Sequence, residues 1–265
     1  MLSATDGWAF GLTKQASTTG VTPLILHFSN GAWALAPVPD LKQNWTITDL
    51  AVGSNNDLWA VGYTLAFPDT QAMGVTLHYL DGKWRITQTF PHIHLIGLAM
   101  DTANEGWATG YSLQSYGNNP STTFQQGIML HYAHGTWNEV FTILQGSDVG
   151  SSITLASPTN GWMDTETTAA DAEITAAAPE DNVVLYHYNG TAWQRVLVKV
   201  PTYPGFLKAT VSNLAILPTG EIWAVGDASN GTQTVAPGTT QQIVYPQPHM
   251  VILHYLNGQW TTLAD

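Results

Sequence analysis

The sequence has 265 residues, and its 7 Lys and Arg stand against 19 Asp and Glu, for a formal net charge of −12. A chain this acidic repels phosphate backbones, which argues against a nucleic-acid partner. It contains no cysteine, which excludes disulfides, thiolate metal sites and a thiol nucleophile. No apolar run approaches the roughly 18 residues that a membrane span needs.

Only 10% of the residues are charged, and hydroxyl, amide and aromatic side chains supply much of the remaining polarity. Such a surface favours an extracellular or cell-surface location. The chain has no basic-then-apolar segment at its start, so we expect any secretion signal to lie outside the given sequence.

A first motif recurs five times along the chain. It is a Trp followed, in four of the five copies, by Ala, any residue and Gly. The copies are Trp8-Ala9-Phe10-Gly11, Trp59-Ala60-Val61-Gly62, Trp107-Ala108-Thr109-Gly110, Trp162-Met163-Asp164-Thr165 and Trp223-Ala224-Val225-Gly226. Repetition at this period indicates a repeat architecture.

A second motif follows each copy of the first, and it consists of a His-aromatic pair, a turn and another Trp. The copies are His27-Phe28 to Trp33, His78-Tyr79 to Trp84, His131-Tyr132 to Trp137, His187-Tyr188 to Trp193 and His254-Tyr255 to Trp260. Ten of the eleven tryptophans belong to the two motifs, and Trp45 is the exception.

Each repeat predicts four short strands, which we label A to D. Strand A is an apolar run such as Leu50-Ala51, strand B carries the first Trp, strand C the His-aromatic pair and strand D the second Trp. Turns such as Asn30-Gly31 and Asp81-Gly82 supply the two positive-φ residues of a type I′ hairpin, which makes strands C and D antiparallel neighbours. No 3.6-residue stripe predicts a helix.

Strand C carries apolar residues on both faces, as in Val251 to Tyr255. A strand buried on both faces needs a sheet above and below it. Four-stranded units repeated about fifty residues apart therefore predict an all-β, five-bladed β-propeller. The blades are expected at about 1-38, 39-91, 92-145, 146-201 and 202-265, in a single domain. Met1 to Ala4 supply only the end of a strand A, so either the first and fifth blades close the ring directly or the chain is a fragment of a larger propeller.

The Gly-Trp-Ala-Val-Gly-like strand, the Asn/Asp-Gly turn and the following Trp resemble bacterial β-propeller repeats of the Asp-box (sialidase-type) and photosystem II assembly-factor-like class. The resemblance covers the whole chain at the level of repeat type. The Asp box is degenerate here, because the Ser and Asp before its turn glycine are mostly replaced, so no enzymatic residue carries over.

Length variation falls on one predicted face. The two tryptophans of a unit are 25, 25, 30, 31 and 37 residues apart, and the difference lies in the B–C loops, beside irregular D–A loops. Variable loops on a rigid scaffold commonly carry binding residues. We therefore expect this face to hold the ligand. Its aromatic candidates are Trp45, Tyr116, Phe124, Tyr203, Phe206 and Tyr245, and its polar candidates are Asn118, Asn119, Asp164 and Asp227.

The five repeated histidines lie on different blades and cannot meet one metal ion. They are expected to be core histidines that bond to backbone carbonyls between blades, and the repeated tryptophans to pack between blades with their N–H groups bonded. His92 and His94 are weak candidates for half a metal site, with no third ligand. No cofactor is expected.

The fourth unit departs from its own pattern, because Met163-Asp164-Thr165 and Glu166 replace Ala-x-Gly. If the chain were an enzyme, Asp164, Glu166 and Asp227 would be its catalytic candidates, joined by Asp148 and Asp101, since glycoside hydrolysis needs paired carboxylates.

The sequence thus favours a non-enzymatic extracellular propeller, a monomer or a module of a larger protein, that binds a glycan or a protein through the long-loop face. A glycoside hydrolase or lyase, and a structural or assembly-factor module, are the alternatives.

Overall fold

The computed structural model describes residues 3–14, 20–53, 57–65, 71–102, 104–115, 123–140, 144, 148–167, 182–200, 208–217, 219–229 and 249–263. They form nineteen strands and, within these ranges, no α-helix. The strands are β1 (Gly7–Lys14), β2 (Val21–Ser29), β3 (Ala32–Ala36), β4 (Trp45–Val52), β5 (Leu58–Thr64), β6 (Met73–Leu80), β7 (Lys83–Pro91), β8 (Ile93–Thr102), β9 (Glu105–Ser115), β10 (Thr123–Ala133), β11 (Thr136–Glu139), β12 (Asp148–Ser157), β13 (Asn160–Thr167), β14 (Asn182–Tyr188), β15 (Trp193–Lys199), β16 (Lys208–Ile216), β17 (Ile222–Ser229), β18 (His249–Leu256) and β19 (Gln259–Leu263).

The strands form five antiparallel sheets in chain order, which confirms the predicted all-β, five-bladed propeller. The first sheet has three strands, β1-β2-β3, and each later sheet has four. Strands β4, β8, β12 and β16 are the predicted strands A, and each packs on the sheet of the preceding blade. We call them the inner strands.

The C–D hairpins have the expected turn geometry in four blades. Asn30, Asp81, His134 and Asn257 have φ between 52° and 54°, and each is followed by a glycine with φ between 76° and 84°. The fourth blade differs, because Gly190 is the residue with positive φ there. Its Asn189 side chain accepts hydrogen bonds from the backbone N–H groups of Thr191 and Ala192, at 3.0 Å each, so it serves the turn.

Adjacent blades are joined by an aromatic contact that recurs along the chain, and we call it the aromatic seam. In it, the Trp of strand B lies against the Tyr of strand C and, edge-on, the Trp of strand D in the next blade. Trp59, for example, lies 4.6 Å from Tyr132 and 5.9 Å from Trp137 between ring centroids. The other three seams are Trp8 with Tyr79 and Trp84, Trp107 with Tyr188 and Trp193, and Trp162 with Tyr255 and Trp260.

The seams confirm that the repeated tryptophans pack between blades, but the prediction for their N–H groups is wrong for five of the rings. Within the described residues, the buried indole N–H groups of Trp162 on strand B and of four strand-D rings have no hydrogen-bond acceptor; the four are Trp84, Trp137, Trp193 and Trp260. Packed ring area, rather than an N–H bond, therefore holds these five side chains.

Each repeated histidine stacks on the strand-B Trp of its own blade, with centroids 4.0 to 4.5 Å apart. Its Nε2 hydrogen-bonds to a side chain two residues before that Trp, which corrects the expected backbone carbonyl. The five partners are Asp6, Asp57, Glu105, Asn160 and Glu221. Each histidine therefore fixes the A–B turn and the indole of one blade.

The seam between the fifth and first blades is not filled in the same way. Among the described residues, Trp223 makes a ring contact with its own His254 alone, and Trp33 contacts its own Phe28. Trp33 is 47% exposed, whereas Trp84 at the matching position of the second blade is 4% exposed. The first and fifth blades thus do not reproduce the contact that joins the others.

This asymmetry predicts unequal costs for two matched substitutions. Trp84→Ala should lower the free energy of unfolding by about 4 kcal/mol, because it empties a buried seam. Trp33→Ala should lower it by about 1 kcal/mol, because half of the ring already lies in solvent. Urea unfolding followed by far-UV circular dichroism measures both, and equal costs would show that the fifth seam is filled in solution.

Candidate functional site

A cavity of about 650 Å³ lies where the inner strands converge, and we call it the axial cavity. Its lining comes from β4, β8, β12 and β16, together with Phe10 of β1. The lining segments are 48–52, 96–100, 151–155 and 212–214, which run from the middle of each inner strand toward the A–B turn. The cavity therefore occupies the half of the axis on the side of the A–B turns, which is opposite to the long-loop face where the sequence predicted the ligand.

Every inner strand carries a β-bulge at the same level of this cavity. The pairing shifts between Ile47 and Asp49, between Leu95 and Gly97, between Gly150 and Ile153, and between Val211 and Asn213. Each bulge adds one residue, and the extra residues are Thr48, Ile96, Ser151 and Ser212; in the fourth blade Ser151 and Ser152 together lie opposite Asp164. A bulge leaves its extra residue out of the ladder and changes the direction of its side chain.

The last glycine of the Trp-Ala-x-Gly motif makes room for these bulges. A Cβ on Gly62, Gly110 or Gly226 would lie 1.9, 1.9 or 1.8 Å from the carbonyl oxygen of Thr46, His94 or Thr210 in the adjoining inner strand. In the fourth blade the glycine lies on the inner strand instead. Thr165 occupies the motif position on strand B and pairs with Gly150 of β12. The motif glycine is therefore required because two backbones approach each other closely at this position.

The bulges bring hydroxyl, amide and carboxyl groups to one level of the cavity, and we call this set the polar ring. Its members are Thr48, Asp49, Ser151, Ser152, Ser212 and Asn213. Toward the A–B turns the lining continues with the aliphatic residues Val52, Met100 and Leu155. The cavity thus combines a polar level with an apolar one, as small-molecule sites commonly do.

Asp49 is the titratable member of the ring. Its Oδ1 accepts a hydrogen bond from the Leu50 N–H at 2.7 Å, and its Oδ2 accepts one from the Leu98 N–H of the next blade at 2.8 Å. Burial raises the pKa of the Asp49 carboxyl to about 6, against the opposing effect of these two hydrogen bonds. The matching Ser152 Oγ accepts the Leu214 N–H at 3.4 Å, so this position links successive blades.

Asp164, the principal acidic candidate of the sequence, is 0% exposed. It accepts hydrogen bonds from the Ser151 hydroxyl at 2.9 Å and from the Ser152 backbone N–H. The carboxylate therefore lies behind the bulge of the fourth blade and fixes the two serines that line the cavity. This accounts for the departure of the fourth unit from the repeat pattern.

A second buried carboxylate lies in the same blade. Asp148 is 0% exposed, and its Oδ2 accepts hydrogen bonds from the Tyr186 hydroxyl at 2.8 Å and from the Arg195 Nε at 3.0 Å. A buried, paired carboxylate of this kind is a structural element of the blade. Asp101 lies near the end of β8, where burial and the nearby Glu105 raise its pKa.

The structure gives Trp45 a packing role instead of an exposed stacking role. It begins β4, is 2% exposed and belongs to a core cluster with Ile25 and Trp84. His92 is an exposed residue with φ of 63°, whereas His94 is 1% exposed and stacks on Tyr111. The two histidines therefore do not face one ligand, and no group of three potential metal-ligating acidic or histidine side chains occurs in the described ranges.

The remaining candidates divide into three groups. Asp227 lies on β17, where its Oδ1 accepts a hydrogen bond from Thr210 Oγ1 at 3.4 Å. Phe124 lies on β10, and its side chain is 37% exposed. Glu166 lies on β13, paired with Val149. The others lie outside the described residues: Tyr116, Asn118, Asn119, Tyr203, Phe206 and Tyr245.

The sequence reasoning missed the polar ring. A signal was present in the glycine of the Trp-Ala-x-Gly motif, because such a glycine inside a strand marks a bulge or a close backbone approach.

No helix in the described part of the chain is long and apolar enough to cross a membrane.

No protein-family model matches this chain, and no curated protein sequence matches it. Solved structures similar to it are β-propellers of low identity. The polysaccharide lyase Uly1 superimposes with a TM-score of 0.55 at 11% identity, over 96% of this chain and 56% of that one. TolB from Acinetobacter baumannii gives 0.49 at 10% identity, over 97% and 52%.

YCF48 bound to the D1 peptide gives a TM-score of 0.40 at 17% identity, over 85% of this chain and 72% of that one. The chain thus spans little more than half of Uly1 and of TolB. The five sheets and the likeness to Uly1 define the class of protein, a β-propeller, and do not define the specific Asp-box class that the motifs resemble.

Removal of the Asp164 carboxylate should destabilise the fourth blade. Asp164→Ala leaves the Ser152 N–H and the Ser151 hydroxyl without their acceptor in a buried site, and we expect a loss of about 2 kcal/mol in unfolding free energy. Asp40→Ala, at an exposed aspartate, is the control and should cost under about 0.5 kcal/mol. Equal effects in urea unfolding would contradict the assigned role.

Asp49 should make stability fall as the pH rises. Its folded pKa of about 6 lies above the ordinary aspartate pKa of 3.8, so between these values the folded state holds a proton that the unfolded state has lost. The unfolding free energy of the wild type, relative to that of Asp49→Asn, should therefore fall by about 2 kcal/mol from pH 4 to pH 7. Urea titrations at each pH measure this difference, and a flat or rising difference would contradict the raised pKa.

Proposed function

We propose that this chain is a non-catalytic binding propeller whose axial cavity takes a neutral, hydroxyl-rich ligand, namely a glycan. The observation that carries the proposal is the polar ring, in which the aligned bulges of the second, fourth and fifth blades present polar groups, mainly hydroxyl and amide, at one level of the axis, while the third blade supplies Ile96. Hydroxyl groups both donate and accept hydrogen bonds, as sugar hydroxyls do, so the two sets of hydroxyls are complementary.

The size and composition of the cavity support this choice. A volume of about 650 Å³ falls within the range of small-molecule sites. The polar ring lies beside aliphatic lining residues, which suit the C–H faces of a sugar ring. A strongly charged ligand finds no cationic side chain among the lining residues.

The arrangement of carboxylates favours binding over glycoside hydrolysis. Hydrolysis requires two carboxyl groups flanking the scissile bond. Among the described residues that line the cavity, Asp49 is the one carboxylate, and the carboxylate of Asp164 lies buried behind the fourth-blade bulge.

A glycan-cleaving activity is the second candidate, and the raised pKa of Asp49 favours it, since a carboxyl that titrates near pH 6 in a cavity can act as an acid or a base. Uly1 is named as a polysaccharide lyase, but its likeness to this chain extends to the fold alone. Both Asp49 oxygens accept backbone hydrogen bonds, which gives the carboxylate a structural task and weighs against this candidate.

An extracellular or cell-surface setting fits the proposal, because the low charge content and the abundance of hydroxyl and amide groups suit glycan binding there. Protein recognition and an assembly-factor role within a larger protein are the outcomes to expect if the cavity binds no sugar. Fold alone does not decide among these functions, because propellers carry many of them.

The proposal predicts that Asn213→Ala lowers glycan affinity at least tenfold with little change in stability, since Asn213 is exposed at the cavity. A glycan array selects the ligand, and isothermal titration calorimetry measures the affinity. Asn138→Ala, at an exposed asparagine of β11, is the matched control and should leave the affinity unchanged.

Absence of binding across the array would contradict the proposal. Release of shortened or unsaturated sugar products that Asp49→Asn abolishes would replace it with the enzymatic candidate.

A further inference from the structure

The first blade has no inner strand among the described residues. Strands β5, β9, β13 and β17 each pair on both sides, with strand C and with an inner strand. Their counterpart β1 pairs with β2 and forms the edge of its three-stranded sheet. An edge strand presents unpaired backbone N–H and C=O groups that can pair with another extended segment.

Gly11 shows that β1 is built to accept a bulged strand. It occupies the motif position of Gly62, Gly110 and Gly226, where a Cβ would lie within 2 Å of an inner-strand carbonyl oxygen. At Gly11 nothing lies within 4 Å of a built Cβ. The first blade thus has a glycine at the position where a bulged inner strand needs space, and no described strand occupies that space.

The sheet that would lie beneath such a strand is exposed. Each inner strand packs on the preceding blade, and for the first blade that is the fifth. On the fifth blade Val225 is 45% exposed, whereas its counterparts Val61 and Thr109 are 0% exposed. Met250 and Leu263 are 56% and 47% exposed on the same sheet.

We propose that one extended polypeptide segment docks between the fifth and first blades as the missing inner strand. It pairs with the free edge of β1 and covers the exposed face of β17 and β18. The four existing inner strands define its chemistry, because the docking site continues their repeated interface. The segment is about eight to ten residues long, with aliphatic residues at the positions shared by Ile47, Leu95 and Val211 and by Leu50, Leu98, Ile153 and Leu214.

Asn213 supplies a polar anchor for this segment. Its counterparts Asp49 and Ser152 accept the backbone N–H of Leu98 and Leu214 in the following blade. In the fifth blade the same position carries an exposed amide, which is placed to accept the N–H of the corresponding aliphatic residue in the docked strand. Asn213 also belongs to the polar ring, so a strand docked here would lie at the wall of the axial cavity.

The test uses a fluorescent peptide with the sequence of residues 208–217, Lys-Ala-Thr-Val-Ser-Asn-Leu-Ala-Ile-Leu, and measures its fluorescence anisotropy with the intact chain. We expect saturable binding, and no binding of a scrambled peptide of the same composition. Absence of saturable binding, or equal binding of the scrambled peptide, would overturn the proposal.

Gly11→Val is the decisive variant. The free protein has open space around Gly11, so its urea unfolding should be unchanged, whereas the added side chain clashes with a bulged strand and should lower peptide affinity at least tenfold. Val225→Asp should weaken binding similarly, and Leu197→Asp, at a 49% exposed leucine of the fourth blade, should not. Unchanged affinity in Gly11→Val would overturn the proposal.

Two other occupants give different results. If a second copy of the chain fills the site, analytical ultracentrifugation shows a concentration-dependent dimer that the peptide does not dissociate. If the fifth blade closes on the first, Trp33 is protected from acrylamide quenching in the monomer, which a Trp33→Phe variant identifies. Either result overturns strand docking.

Discussion

The edge-on contact between the Trp of one blade and the Tyr–Trp pair of the next is the interaction on which this propeller depends. It recurs at four interfaces with nearly the same geometry, and at each one the histidine stacked on the Trp ties the indole to an acidic or amide residue in the A–B turn. Because the contact joins strand B of one blade to strands C and D of the following blade, it fixes both the spacing and the direction of the ring. Large buried aromatic area supplies this stabilisation without charge, in a chain where 10% of the residues are charged.

Close backbone contact at the axis connects the fold to the candidate site. The motif glycines allow each inner strand to bulge against strand B, and the bulge presents Thr48, Ser151 or Ser212 to the axial cavity. In the fourth blade the bulge is held by the buried Asp164, so the departure from the repeat has a structural cause. The residues that shape the cavity are therefore also residues that hold the blades together, and Asp49, which bonds across two blades, is the clearest case.

The sequence predicted the strands, the hairpin turns and the number of blades, because each repeat restates the same pattern and errors in one copy are corrected by the others. It did not predict the polar ring, because a bulge depends on how two strands pair. The sign of the bulge in the sequence is a single glycine. Trp45 was a candidate for ligand binding because it lies outside the repeat, but its ring is buried between the first and second blades. The histidine partners were missed for a similar reason, since residues 21 to 33 positions apart meet only once strands B and C are paired.

The central claim is that an inner strand completes four blades and that no strand among the described residues completes the first. Site-resolved hydrogen–deuterium exchange of β1 and its counterpart β5 tests this most directly. In β5, which pairs on both sides, every backbone amide should exchange slowly. In β1, slow and fast amides should alternate along the strand, because alternate N–H groups point to β2 and to the open edge. Uniformly slow exchange along β1 would contradict the account, because it would show that the first blade already has an inner strand.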